Sequence, residues 1–151
     1  EDVNAFAMAD GTVRLYSGLL DKMTDDEVRY VVGHEMGHVK AGHSRKRMQM
    51  AMTTGGLRDA VAASGADHAG LADSELAALF EKVVLAQHSQ SNENEADDYA
   101  MGFMKHQKYD PKACVTALEK LDAMSGGRDS SWLSTHPAPK ERAARMRAQL
   151  G

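Results

Sequence analysis

Apolar positions along the chain fall into two short strand-like runs followed by stretches at helical spacing. Val3-Asn4-Ala5-Phe6-Ala7-Met8 predicts a strand, Asp10-Gly11 a tight turn, and Thr12 to Tyr16 a second strand. A two-stranded hairpin is marginal alone, so the chain is expected to be trimmed from a longer protein, with further elements upstream. Thr24-Asp25-Asp26-Glu27 is a capping box with acidic residues in the first turn. It predicts a helix to about Gly42, with a continuation through Met52 left open. Residues 53–73, rich in Gly, Ala and small polar residues, predict a partly helical excursion rather than a linker. Ser74 caps a helix carrying Leu76, Leu79, Phe80, Val83 and Val84, expected to continue to about His106 unless kinked near residues 87–92. Asp110-Pro111 then supplies an N-cap and a first-turn proline for a helix with Cys114, Leu118 and Leu121 on one face, ending near Gly126-Gly127. Pro137 or Pro139 opens a last helix to Leu150. The expected class is α+β, mostly helical, with one small antiparallel hairpin in a single domain.

Composition narrows the function classes. The chain has 151 residues and a net charge of −4, enough length for a real core but no electrostatic footprint for nucleic acid. Arg45-Lys46-Arg47 is a short basic cluster, expected to be a solvated helix end. No apolar run reaches the length of a membrane span, and no signal peptide is expected within these residues. The single cysteine, Cys114, belongs to an apolar face, so a Cys-built metal site is excluded and any zinc must use His and carboxylate.

The chemistry concentrates in Val31-Val32-Gly33-His34-Glu35-Met36-Gly37-His38-Val39, which contains H-E-x-x-H. On a helix His34 and His38 stand one turn apart on nearly the same face, so their imidazoles can converge on one tetrahedral Zn²⁺. Glu35 lies within reach of a water activated there, completing the minimal set for metal-assisted amide hydrolysis. Val28, Val31, Val32, Met36 and Val39 surround the motif and predict a largely buried helix, where a Glu between two His needs partners. Gly37 is either tolerated or permits close approach of a neighbouring helix.

Two histidines leave a catalytic zinc one ligand short. The pattern with a further Gly and His downstream fails at Ala41 and Ser44, and on a continuous helix the near miss His43 would point away from His34. A glutamate from a second helix remains. Glu93-Asn94-Glu95-Ala96-Asp97 sets Glu93 and Asp97 one turn apart, which suits a ligand and a carboxylate accepting the N–H of a zinc-bound His. Glu95 and Asp98, off that face, are expected to be solvated.

With these motifs in place the chain resembles the gluzincin zinc peptidases of the group that includes HtpX, the CaaX prenyl proteases and the bacterial envelope proteases BepA and LoiP, the LoiP-like members above all. The matching residues are Asn4-Ala5-Phe6-Ala7, Gly11, Tyr16-Ser17-Gly18, Gly33 to His38, Glu93 to Tyr99, His136-Pro137 and Glu141-Arg142, in family order. The resemblance implies a zincin-like core and one zinc per chain held by His34, His38 and Glu93. It also implies Glu35 as general base, polypeptide substrates, and a bacterial envelope or periplasmic setting in protein quality control. It brings His136 near the site, either as a hydrogen-bond donor to a developing oxyanion or as a movable fourth ligand, with Arg142 orienting that segment or contacting substrate. The strand Asn4-Ala5-Phe6-Ala7 is either a plain structural strand or an edge that binds an extended peptide by main-chain hydrogen bonds. Two other classes stay open: a zinc-stabilised, chaperone-like binding module with little turnover, and a helical interaction domain without metal.

Overall fold

Capping chemistry and glycine spacing explain most of the architecture. The computed structural model describes residues 2–53, 86–124 and 131–151. Strands β1 (Ala5–Ala7) and β2 (Val13–Leu15) pair antiparallel with Ala5 opposite Leu15, Phe6 opposite Arg14 and Ala7 opposite Val13. Both are shorter than the alternation predicts. Gly11, at φ 93°, closes the turn, and the Asp10 carboxylate accepts from Thr12 N–H at 2.9 Å. Helix α1 (Ser17–Lys22) leads to α2 (Asp25–Ala41), which carries the H-E-x-x-H residues.

The predicted capping box at the start of α2 is present. Thr24 Oγ1 accepts from Glu27 N–H, and Glu27 Oε2 accepts from Thr24 N–H at 2.8 Å. Glu27 also accepts from Thr116 Oγ1 at 2.8 Å and from Lys120 Nζ at 2.6 Å, which ties this end of α2 to helix α5 (Ala113–Ala123). Burial raises the Glu27 pKa, but Lys120, Thr24 and Thr116 outweigh it and leave the carboxyl below its ordinary 4.5. A depressed folded pKa adds stability above the unfolded value, and that stability disappears as pH falls through the folded one. Glu27→Ala is therefore expected to cost about 1–3 kcal/mol at neutral pH, the gap closing as denaturation is repeated below pH 4.5. A gap constant over that range would contradict this reading.

Helix α2 stops at Gly42, whose left-handed φ of 69° favours glycine, and α3 (His43–Thr53) starts afresh. The expected excursion after Thr53, and the helix start at Ser74, lie outside the described residues. Helix α4 (Gln90–His106) does not simply continue an earlier helix, because Ser89 caps it, its hydroxyl accepting from Asn92 N–H at 3.2 Å. Helix α5 begins two residues later than the Asp110-Pro111 signal implies. Three tight turns intervene, with Ala113, Cys114 and Val115 N–H each bonding the carbonyl three residues back. After it come α6 (Trp132–Thr135), which the spacing does not reveal, and α7 (Pro139–Ala148), opened by Pro139.

Among the described residues the fold is mostly helical with one two-stranded sheet, as expected. The hairpin, α4 and α5 pack on α2, and α7 packs on α5. Tyr30, Val31, Met101, Met104, Leu118, Leu121, Trp132 and Met146 form the core. Cys114 lies in it as predicted, its thiol pushed up to about 12 by burial, so it is inert at neutral pH. Met36 is 36% exposed rather than packed around the motif, and Val28, Val32 and Val39 are only half-buried.

What buries the motif is a seam of small residues. A Cβ on Gly37 would sit 2.8 Å from Ala96 Cα and 2.9 Å from Ala96 O, and one on Gly33 would meet Phe103 and Ala100. Gly33 and Gly37 on α2 thus face Ala96 and Ala100 on α4, each pair one turn apart, and the two backbones nearly touch. Among the described residues no helix is long and apolar enough to cross a membrane.

Candidate metal centre

The close approach of α2 and α4 sets two rows of polar side chains against each other. From α2 come Tyr30, His34 and His38, spaced by four residues, with Glu35 beside them; from α4 come Glu93 and Asp97. His34, His38, Glu93, Asp97 and Glu35 are at most 1% exposed. His34 Nε2 and His38 Nε2 are 3.0 Å apart. Glu93 Oε2 lies 3.4 Å from His34 Nε2, and Glu93 Oε1 lies 3.2 Å from His38 Nε2. On its other side His34 Nδ1–H donates to Asp97 Oδ1 at 2.9 Å. Glu93 thus lies against both histidines and Asp97 against His34.

His136 joins this group from the segment after α6. Its backbone N–H bonds Trp132 O at 2.9 Å and its ring stacks on the buried Trp132 indole, 4.4 Å between centroids. His136 Nδ1 is 3.2 Å from Glu93 Oε1 and 3.3 Å from His34 Nε2, while its Nε2 is 3.4 Å from Glu35 Oε1. One donor atom each from His34, His38, Glu93 and His136 falls within 4.8 Å of all the others.

Arg142 is corrected by its surroundings. It is 1% exposed, donating from Nε to Asp97 Oδ2 at 2.8 Å and from Nη2 to Asp97 Oδ1 at 2.7 Å, with Nη1 against Glu93. A guanidinium committed in this way is not free to bind substrate; it holds the two carboxylates of α4 in place. Tyr30, which the motif spacing does not single out, donates its hydroxyl to Asp97 Oδ1 at 2.7 Å. Its position four residues before His34 is the signal that could have found it.

His43 is a second correction. Because α2 ends at Gly42, His43 starts a new helix and its ring turns back, placing Nδ1 2.8 Å from His38 Nδ1. Its Nε2 lies 3.3 Å from Glu95 Oε2, so Glu95, though 65% exposed, is not purely solvated; Asp98 pairs with Arg145 at 2.6 Å. Arg47, expected at a solvated helix end, donates from Nη2 to His88 Nε2 at 2.8 Å, and His88 stacks on His38 with centroids 3.9 Å apart. No sequence pattern distinguishes His88.

Charge within this buried cluster is lopsided. Burial works against ionisation of Glu93, yet His136 and His34 overcome it and hold the carboxyl far below the usual range. Burial likewise opposes Asp97, and Arg142, aided by His34, outweighs it. Burial disfavours the charged form of His34 too, but Glu93 and the bond to Asp97 push it up to about 9 against the charge of Arg142. Burial lowers His38 to about 3, with Glu93 opposing and His34 assisting. Glu93 and Asp97 thus stand ionised against the Arg142 guanidinium, with Arg47 acting on Glu93 and Glu35 from the His88 side, and the elevated His34 registers the pull for positive charge.

These residues fit a divalent cation. A zinc about 2.0–2.1 Å from each donor sets tetrahedral donors roughly 3.3–3.4 Å apart, close to the 3.0, 3.4 and 3.2 Å separations among His34, His38 and Glu93. The all-N/O donor set is the type zinc takes in catalytic sites. Among the described residues Glu35 Oε1 is buried without a hydrogen-bond partner, a costly state for a group with no task.

The predicted peptide strand lies beside this centre on α2. Asn4 and Ala5 are buried, with Asn4 Oδ1 accepting from Ala5 N–H at 2.9 Å, and Phe6 is half-buried. The edge of β1 away from β2 carries no strand among the described residues, although Ser44 Oγ donates to Ala7 O at 3.0 Å.

Comparison with known proteins agrees with this chemistry. The family model for peptidase family M48 matches residues 1–150. Metalloprotease LoiP of Escherichia coli (strain K12) is 47% identical over 150 residues, covering 99% of this chain and 60% of that protein. Metalloprotease YcaL of the same organism is 39% identical over 149 residues, covering 99% and 59%. The beta-barrel assembly-enhancing protease of that strain is 31% identical over 157 residues, covering 97% and 32%. The chain spans about three fifths of the length of LoiP and YcaL.

Proposed function

Because the chain belongs to peptidase family M48, we propose that it is a zinc-dependent endopeptidase acting on unfolded or misassembled polypeptides, with a gluzincin core in a single peptidase domain. The observation that carries this reading is the convergence of His34, His38 and Glu93 donor atoms in a buried cluster that also holds Glu35, whose Oε1 accepts no hydrogen bond among the described residues and has His136 Nε2 at 3.4 Å. His34, His38 and Glu93 would hold one zinc per chain. When bound, zinc supplies Lewis acidity that polarises a peptide carbonyl and makes a water more acidic. Glu35 then takes the proton of the attacking water at Oε1 and delivers it to the leaving amine. Asp97, fixed by Tyr30 and Arg142, keeps the His34 proton on Nδ1 and its Nε2 lone pair directed at the site. The edge of β1 away from β2 is our choice for aligning an extended peptide by main-chain hydrogen bonds, a sequence-tolerant mode suited to unfolded substrates; a peptide there would exchange with the Ser44 Oγ bond to Ala7 O and the Asn4 side-chain bond to Ala5 N–H.

The relatives' names extend the proposal to setting. LoiP and YcaL are metalloproteases, and a third relative is a beta-barrel assembly-enhancing protease, which supports a role in bacterial envelope quality control. Cleavage of a reduced, unfolded protein by the zinc-loaded chain, abolished by a chelator and restored by zinc, tests the activity. Binding without cleavage would favour the chaperone-like module, and failure to bind zinc would leave a metal-free interaction domain.

Between the two roles for His136, its Nδ1 close to Glu93 and His34 favours the movable fourth ligand. His136→Ala is then expected to raise basal turnover and slightly weaken zinc binding, because a competitor for the open position is gone. A fall in kcat by two or more orders of magnitude with zinc retained would instead make it the oxyanion donor, about the loss of one such donor.

A further inference from the structure

Among the described residues a second group of histidine donors adjoins the first: His38, His43 and His88, also within 4.8 Å of one another. Two features argue against a second metal there. His88 lies parallel on His38, so the in-plane lone pairs of the two rings do not converge, and His88 Nε2 already accepts from the Arg47 guanidinium, an unfavourable neighbour for a cation. The hydrogen-bond chain through His43 is more telling.

Given the zinc reading above, on which this inference rests, His38 presents Nε2 to the metal and carries its proton on Nδ1. Among the described residues that proton has one acceptor in reach, His43 Nδ1 at 2.8 Å. An acceptor at Nδ1 leaves the proton of neutral His43 on Nε2, and that nitrogen faces Glu95 Oε2 at 3.3 Å. His43 is 4% exposed, so water does not readily replace it. His34 has the matching arrangement with Asp97. Ligating histidines are generally held by an acceptor on the second nitrogen, which sets tautomer and ring orientation and strengthens the ligand. We infer that His43, backed by Glu95, is a positioning residue that orients His38 for metal binding.

The break at Gly42 makes this possible, since without it His43 would continue α2 and face elsewhere. The acceptor differs from that of His34 in being neutral, with its carboxylate one ring further out. Its effect should therefore depend on an acceptor placed where Nδ1 is, not on bulk or general polarity.

That dependence supplies the test: zinc affinity and stoichiometry by chelator competition on the wild-type chain and on His43→Ala, His43→Asn, His43→Gln and Glu95→Gln. Asn Oδ1 occupies nearly the position of imidazole Nδ1, whereas the Gln amide reaches towards that of Nε2. His43→Ala and His43→Gln should weaken zinc binding by about 10–100-fold, His43→Asn should restore most of it, and Glu95→Gln should cost a few-fold, with one zinc per chain throughout. Unchanged affinity in His43→Ala, equal losses in the Asn and Gln variants, or two zinc ions in the wild type falling to one would each overturn the assignment. A wild type that binds no zinc would instead overturn the peptidase reading itself, so the two failures are distinguishable.

Discussion

Glu35→Gln is expected to abolish useful peptide hydrolysis while leaving the zinc site filled. The side chain sits on α2 between the two histidines, 1% exposed, with Oε1 unpartnered among the described residues and His136 Nε2 at 3.4 Å. Glutamine matches its volume and helix propensity, so neither packing nor α2 changes. The amide cannot take a proton from water, and general-base assistance of this kind contributes about 10²–10⁴ in rate. Cleavage of an unfolded protein, followed beside zinc affinity, should show turnover falling by that factor with affinity little altered. Undiminished cleavage would remove Glu35 from the chemistry, and loss of zinc would recast it as a ligand.

Gly37→Ala should damage the same centre from behind. The added methyl would press on Ala96 Cα and O at 2.8 and 2.9 Å, which are backbone atoms and cannot rotate away. Alanine regains about 1 kcal/mol of helix propensity over glycine, but overpacking against a rigid neighbour costs about 1–3 kcal/mol, so the net change is destabilising or near neutral. The larger consequence is positional. Ala96 lies beside Asp97 and one turn from Glu93, so moving α4 off α2 withdraws one proposed ligand and the carboxylate that orients another. Zinc affinity should drop by at least the roughly 10–100-fold associated with lost outer partners. Gly33→Ala should be milder, because its closest contact is the end of the half-buried Phe103 side chain. Equal, small effects of the two substitutions on chelator competition and denaturation would contradict the seam as the device that sets the site.

Local signals carried the parts of the site that depend on helical spacing alone. The capping box at Thr24, the one-turn spacing of His34 and His38, and that of Glu93 and Asp97 each follow from 3.6 residues per turn, and each is present. What spacing could not convey is where helices stop and what they meet. The direction of His43 depended on one left-handed glycine at Gly42, which a continuous-helix reading overlooks. Arg142 is expected to orient the His136 segment or contact substrate, yet the fold buries it because two carboxylates on α4 need a counter-charge. Met36 sits in an apolar stretch but faces outward, because the buried face of α2 is lined by Gly33, Gly37 and the histidines rather than by the largest side chains. His88 acts through a partner distant in sequence, Arg47, which no local pattern links to it.

The central claim, that His34, His38 and Glu93 together hold a catalytic zinc, is tested most directly by zinc stoichiometry and affinity in the wild-type chain and in Glu93→Ala. The expected result is one zinc per wild-type chain and, in Glu93→Ala, an affinity lower by more than the roughly 10–100-fold that loss of an outer partner costs. Full occupancy of Glu93→Ala at wild-type affinity would contradict it.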